Sequence, residues 1–297
     1  MDSIKILPSK EIDKAKWDAC VQRSENGLIY ARSSYLDIMA DNWDGLVMND
    51  YEAVMPLTWR RKFGIKYFSK PRFIQQLGVI GNYKASKYFM DILAKQYQYG
   101  EVPFNYKNVD ITNEQFLPKT NYVLDLNRDY QSIYIEYKKS LLKKLKKISE
   151  LQYMEADFNE VVDAYWNYVK QKHKELYENF ERMKAIFRTD FGKKYFHSYQ
   201  IIDESRQPLL FGIYAKDERR IYNLMTVHVN NGKEKYAMIF SIDFLIRKYA
   251  NQPLLFDFIG SELPGVKTFL QNFSPINQPY FVYHFNHLPR LVKLFKK

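Results

Sequence analysis

The residues best suited to chemistry gather in the middle of the stretch NQPLLFDFIGSELPGVKTFLQNF, residues 251–273. Asp257 interrupts an apolar run there, and Gly260, Ser261 and Glu262 follow it. A carboxylate or hydroxyl at the tip of a buried strand can accept a proton or hold a polar substrate group. Asp257 and Glu262 are therefore candidate catalytic residues, and Ser261 is a candidate substrate-binding residue. Each acid has a structural alternative: Asp257 as a buried acid that holds a backbone turn, and Glu262 as an acid near a helix N-terminus. His228 is the third catalytic candidate, because imidazole titrates near neutrality. Its alternative is a half-buried histidine with its hydrogen bonds satisfied. Tyr222 lies six residues before His228, so a regular strand puts both on one face, and Tyr222 is a candidate substrate contact. The remaining histidines, His173, His197, His284 and His287, are scattered, and Cys20 is the single cysteine. No spacing suits a metal, so no metal site is expected.

Cations form the second chemical resource. Lys and Arg number 45 against 34 Asp and Glu, a net charge of +11, which favours anionic partners such as RNA, a phosphorylated carrier or an anionic membrane surface. Residues 138–147 hold six lysines. They read either as the solvated face of a helix or as a phosphate contact whose affinity falls with salt. WRRKFGIKYFSKPRFIQQ, residues 59–76, interleaves Arg60, Arg61, Lys62, Lys66, Lys70 and Arg72 with aromatic rings, a pattern that binds stacked or phosphate-bearing ligands. Gln75 and Gln76 can both donate to and accept from a peptide backbone. The C-terminal LPRLVKLFKK has a basic amphipathic pattern compatible with an anionic membrane surface.

The elements that must position these groups follow from periodicity. The 297 residues suit one large domain or two of ordinary size. A strand at the N-terminus is followed by helices over 10–23 and 33–42, the second capped by Ser33 or Ser34. Strand-like runs follow: GLVMND and YEAVMPLTWRR with the turn MNDY between them, then IKYFSK and RFIQQLGVIG. A helix over 86–97 and the strand EVPFNYKN complete this half. From Tyr122 onward the strand NYVLDL leads into a helix over 130–150, whose apolar stripe is Tyr134, Tyr137, Leu141, Leu145 and Ile148. LQYMEA reads as a strand, with helices after it over 158–176 and 181–199. PLLFGIYAK and RIYNLMTVHV form a hairpin turned at Asp217-Glu218; an amphipathic helix, the strand PLLFDFIG, a short helix and the strand PYFVYHFN come next. Strands alternating with helices imply crossovers, a mixed sheet and an α/β (α+β) fold, with ligands collecting at strand C-termini. With one cysteine, no apolar leader and no apolar run of spanning length, the expectation is a cytoplasmic protein without an intramolecular disulfide.

The order hairpin, loop, helix and then LLFDFIGSELPGVKTF resembles the C-terminal domain of the Fem-type N-acyltransferases, tandem-domain members of the GNAT superfamily that include the peptidyltransferases of peptidoglycan bridges. The basic KSLLKKLKKISELQYMEA and the first-half VMPLTWRRKFGIKYFSKPRFIQQLGVIG are similar to the family's early basic helix and degenerate first domain. The resemblance implies two GNAT-like domains: residues 1–121, degenerate and on the acceptor side, and 122–297 on the donor side. It implies transfer of an acyl or aminoacyl group, from acyl-CoA or aminoacyl-tRNA as co-substrate, to an amine on a small molecule, peptide or cell-wall precursor. No tightly bound cofactor is implied. Arg60, Lys70, Gln75 and Gln76 would then face the acceptor between the domains. The segment VHVNNGKEKYAMIF stands where such enzymes hold the donor, making Val227, Val229, Asn231, Gly232, Lys233, Lys235, Tyr236 and Ala237 candidate donor contacts. It has a single glycine where the family has a glycine-rich phosphate loop. The competing reading is a non-catalytic protein that binds RNA or an anionic membrane surface.

Overall fold

A computed structural model describes residues 3–111, 115–260 and 262–288. The chain divides into two compact units, residues 1–119 with 279–297, and residues 120–278.

The first unit begins with β1 (Ile4–Pro8) and α1 (Lys14–Arg23), the helix capped by the Asp13 carboxylate accepting from the Lys16 amide. α2 (Ser33–Met39) has no side-chain cap of its own. Ser33 does not cap it; both its amide and its hydroxyl donate to Asp18 of α1, at 2.7 and 2.8 Å. β2 (Trp43–Met48) and β3 (Ala53–Lys62) are joined at the predicted turn, where Asn49 and Tyr51 have positive φ. β4 (Ile65–Phe68) and β5 (Ile80–Gly81) both pair with β3. The expected strand over 72–81 thus shrinks to two residues. Side-chain amides take its backbone instead: Asn26 and Asn105 donate to the Val79 carbonyl and Asn108 accepts from the Val79 amide. α3 (Ser86–Gln96), β6 (Tyr99–Phe104) and β7 (Phe116–Lys119) follow.

The second unit is built on β8 (Tyr122–Asp125), β9 (Gln152–Glu155), β10 (Phe196–Ile202), β11 (Pro208–Lys216), β12 (Arg220–His228), β13 (Leu255–Asp257) and β14 (Ile276–Asn277), in the order β14-β8-β13-β12-β11-β10-β9. Every pair is antiparallel except β12 with β13. The helices are α4 (Tyr130–Tyr134), α5 (Lys139–Leu145), α6 (Phe158–Val169), α7 (Tyr177–Phe187), α8 (Asp190–Tyr195), α9 (Ala237–Tyr249) and α10 (Pro264–Leu270). The helix expected over 130–150 is two helices. The Lys138 amide donates to Asn272 O and the Ser274 hydroxyl donates to Glu136 O, so groups that a continuous helix would use are taken by the 272–274 turn. Its apolar stripe still packs as read, with Tyr137 and Leu141 buried in a core shared with α9. Strand also replaces the end of the helix expected over 181–199, because β10 starts at Phe196.

The last strand, β15 (Tyr280–Asn286), departs from the expected boundary. It lies between β6 and β7 in a three-stranded antiparallel sheet, so it belongs to the first unit and not to the second.

Candidate functional site

β12 makes the site. Its register with β11 runs Tyr214↔Asn223 and then Ile213↔Met225, leaving Leu224 as a bulge. A bulge reverses side-chain alternation and bends the strand. Beyond it Met225 and Val227 are buried, while Leu224, Thr226 and His228 are half-buried and line a cavity. The same reversal separates Tyr222 from His228. Tyr222 is fully buried, with its hydroxyl donating to Asp217 at 2.8 Å, so it is not a surface for substrate.

The other edge of β12 opens as well. Parallel pairing with β13 covers Arg220, Ile221 and Tyr222 and stops at Asp257, although β12 continues to His228. Past Asp257 the chain turns off, with Ile259 at φ 49°, and the Phe258 amide bonds to the Tyr122 carbonyl on the far side. The two parallel strands therefore diverge. A cavity of about 600 Å³ fills the wedge, reached by Asn223–Thr226 and His228 of β12, Phe258 and Ile259 beyond β13, and the first turns of α9 and α10. Its walls are mainly apolar, from Met238, Ile239, Ile242, Val266, Phe269 and Leu270. Its polar members are Lys144, Tyr165, Asn223, Thr226, His228, Lys233 and Tyr236. The Asn223 side-chain oxygen is buried and has no hydrogen-bond partner among the described residues.

Burial, together with the nearby Lys233 charge, holds the His228 imidazole below its ordinary pKa. At neutral pH it is an uncharged base. Burial raises the Tyr165 phenol, which stays protonated and can donate. Lys144 sits at the rim with its Nζ 6.0 Å from the Tyr236 ring centre.

The loop between β12 and α9 is closed on itself. Gly232 donates to Val229 O, Lys235 to Asn231 O, Tyr236 to Lys233 O, and Ala237 to Gly232 O. The loop is also laid tightly on β11, since Val229 N bonds to Leu209 O and a Cβ on Gly232 would meet that carbonyl oxygen at 1.9 Å. Its glycine is therefore a close-approach residue. Of the candidate donor contacts, Lys233 and Tyr236 line the cavity. Val227 and Ala237 are buried, Val229 is half-buried and Asn231 is exposed. Lys235 turns away to an ion pair with Asp203 at 2.9 Å and lines a separate polar recess with Lys147 and Glu234.

The two acids have structural partners. Asp257 is 1% exposed and Arg220 2%, and they pair at 2.9 Å. Asp257 also accepts from the Ile259 amide at 2.9 Å, holding the turn that leaves β13. Glu262 accepts from the Thr120 amide at 2.7 Å and from Lys267 at 3.0 Å, and these donors bring its pKa down to about 2. Neither carboxylate lines the cavity. Ser261 lies outside the described residues. Arg60, Lys70, Gln75 and Gln76 belong to the first unit. Arg60 pairs with Asp41, Lys70 is exposed, and the buried Gln76 amide donates to Gln75 while its oxygen accepts from the Tyr106 amide. Sequence reasoning gave no individual role to Asn223, Leu224, Thr226 or Tyr165, and held Lys144 only as one of the six lysines of residues 138–147 read as a phosphate contact. Thr226 was reachable by alternation from His228; the others depend on the bulge and on which helices cover it. Among the described residues no group of three His, Cys, Asp or Glu side chains could hold a metal ion, and no helix is long and apolar enough to cross a membrane.

No family model matches the sequence, and no curated protein matches it. Solved structures do. The chain superposes on FemX with a TM-score of 0.68 at 9% identity, covering 99% of this chain and 100% of that one. It superposes on the C-terminal domain of a putative lysylphosphatidylglycerol synthetase from Agrobacterium fabrum with a TM-score of 0.55 at 9% identity, over 95% and 94% of the two chains. For Saccharomyces cerevisiae N-myristoyltransferase with bound myristoyl-CoA the values are 0.51 and 9%, over 96% and 79%. The chain shares the fold of FemX, and that likeness extends over nearly its whole length.

Proposed function

We propose that the protein is an N-acyltransferase that moves an acyl or aminoacyl group from an activated donor to an amine, with the donor arm lying in the wedge between β12 and β13. The observation that carries this reading is the divergence of the parallel strands past Tyr222 and Asp257. A strand edge freed in this way offers backbone N–H and C=O groups to an extended amide-bearing chain, as an added strand would. The apolar walls cover the arm, and Lys144 and Lys233 supply charge at an anionic end.

In this reading neutral His228 accepts the proton as the amine nitrogen bonds to the donor carbonyl carbon. The carbonyl becomes an oxyanion, for which amides on the open β12 edge and the Tyr165 hydroxyl are the available donors. Collapse breaks the bond to the leaving oxygen or sulfur, which takes up a proton. Four amides of the β12–α9 loop, those of Gly232, Lys235, Tyr236 and Ala237, are spent on the loop's own carbonyls and so are closed to a pyrophosphate. That favours aminoacyl-tRNA over acyl-CoA as the donor, with the lysines of α5 meeting phosphates.

The test is transfer of a radiolabelled amino acid from a charged tRNA pool to a diamine or peptide acceptor, beside calorimetric titration with acetyl-CoA. Transfer from tRNA without heat from acetyl-CoA is expected. In a titration with the same charged tRNA, Lys233→Ala weakens binding and Lys235→Ala leaves it near wild type. No transfer from either donor, with salt-sensitive RNA binding retained, supports the non-catalytic RNA-binding reading instead.

A further inference from the structure

The hairpin of β3 and β4 carries a feature that the donor site does not use. The first six residues of β3, Ala53–Thr58, are buried, Trp59 is half-buried, and Arg60–Lys62 are exposed. The ribbon thus leaves the sheet and ends in a two-residue tip, Phe63-Gly64, closed by the Lys62↔Ile65 pair. Both tip residues have positive φ, 50° and 76°. That is the mirror-image hairpin turn, which favours Asn-Gly, and a bulky side chain in the left-handed region is strained. The Phe63 ring does not offset the strain by packing, because it is 89% exposed. Among the described residues its ring contact is with the neighbouring Lys62 ammonium, at 5.6 Å. A Cβ added at Gly64 would meet nothing within 4 Å, so the tip stands in open space. Strain held at an exposed aromatic points outward, to something that the ring enters.

Charge says what that is. Among the described residues Arg61 and Lys62, beside the ring, have no acidic partner in an ion pair, whereas Arg60 pairs with Asp41 and Lys66 with Asp44. An aromatic wedge flanked by free cations fits a surface with anions outside and hydrocarbon beneath. We propose that the β3–β4 tip docks the protein on an anionic lipid bilayer, with Phe63 inserted among the acyl chains and Arg61 and Lys62 at the headgroup phosphates. The proposal does not depend on the acyl-transfer reading.

The test is co-sedimentation of the full chain with vesicles of phosphatidylglycerol and of phosphatidylcholine at low and high salt. Salt-sensitive binding to phosphatidylglycerol alone is expected. Phe63→Asn suits the turn better, so it melts at the wild-type temperature or above, yet its vesicle affinity falls about tenfold or more. Arg61→Gln/Lys62→Gln loses the preference for phosphatidylglycerol. Equal binding to both lipids, or wild-type vesicle affinity in a folded Phe63→Asn variant, overturns the proposal. So does binding to polyuridylate RNA that Phe63→Asn abolishes while vesicles go unbound.

Discussion

Removing the Asp257 carboxylate tests the idea that this acid builds the wedge and does not act in the chemistry. It is paired with Arg220, both almost wholly buried, and it also fixes the Ile259 amide where the chain leaves β13. Asp257→Ala would strand the guanidinium in the core, a change that costs about 3–5 kcal/mol for a buried pair. Arg220 keeps a 2.7 Å bond to Gln278, which offsets part of this and argues for the lower end. At about 2–4 °C per kcal/mol for a unit of this size, the melting temperature should fall by about 6–20 °C. The reverse control removes both charges: Arg220→Met with Asp257→Leu should recover more than half of the loss, since apolar replacement of a buried pair is close to neutral. The assay is urea unfolding followed by far-ultraviolet circular dichroism. A loss below about 1 kcal/mol for Asp257→Ala, or no recovery in the double variant, would refute the structural role assigned to this acid.

Three further outcomes follow from the geometry. His228→Gln should lower the transfer rate by about a hundredfold to ten-thousandfold. Because the histidine's pKa lies below its ordinary 6.5, wild-type kcat/KM should be flat above neutrality and fall only in more acid solution, a limb that the variant lacks. Gly232→Ala drives a Cβ into the Leu209 carbonyl and should cost about 1–3 kcal/mol with a weakened donor KM, whereas Gly265→Ala, whose Cβ meets nothing, should be as stable as wild type in the same urea titration. Glu262 contributes stability that is present above its unfolded pKa of 4.5 and is lost as pH falls through its folded value of about 2, so wild type and Glu262→Gln should converge in thermal melts across that interval.

The elements around the cavity were largely legible because they are local. β12 and α9 announce themselves by alternation and by a 3.6-residue stripe, and the exit at Gly260 by turn chemistry. What was not legible involves partners far along the chain. The break after Tyr134 needs Asn272 and Ser274 to capture backbone groups of residues 136–138. The fate of Asp257 was settled by Arg220, which lies beside it only because β12 and β13 pair. The short β5 reflects three asparagine side chains drawn from residues 26, 105 and 108. The bulge at Leu224 has no local signature, yet it decides that His228 faces the cavity and Tyr222 does not.

The placement of β15 between β6 and β7 has a consequence for synthesis on the ribosome. Residues 120–278 form an uninterrupted stretch that contains every strand of the seven-stranded sheet. The lobe that begins first must wait, with two strand edges vacant, until Tyr280–Asn286 leaves the exit tunnel. A nascent chain stalled before residue 280 would therefore hold every strand of the second unit's sheet while the sheet of β6 and β7 lacked its middle strand.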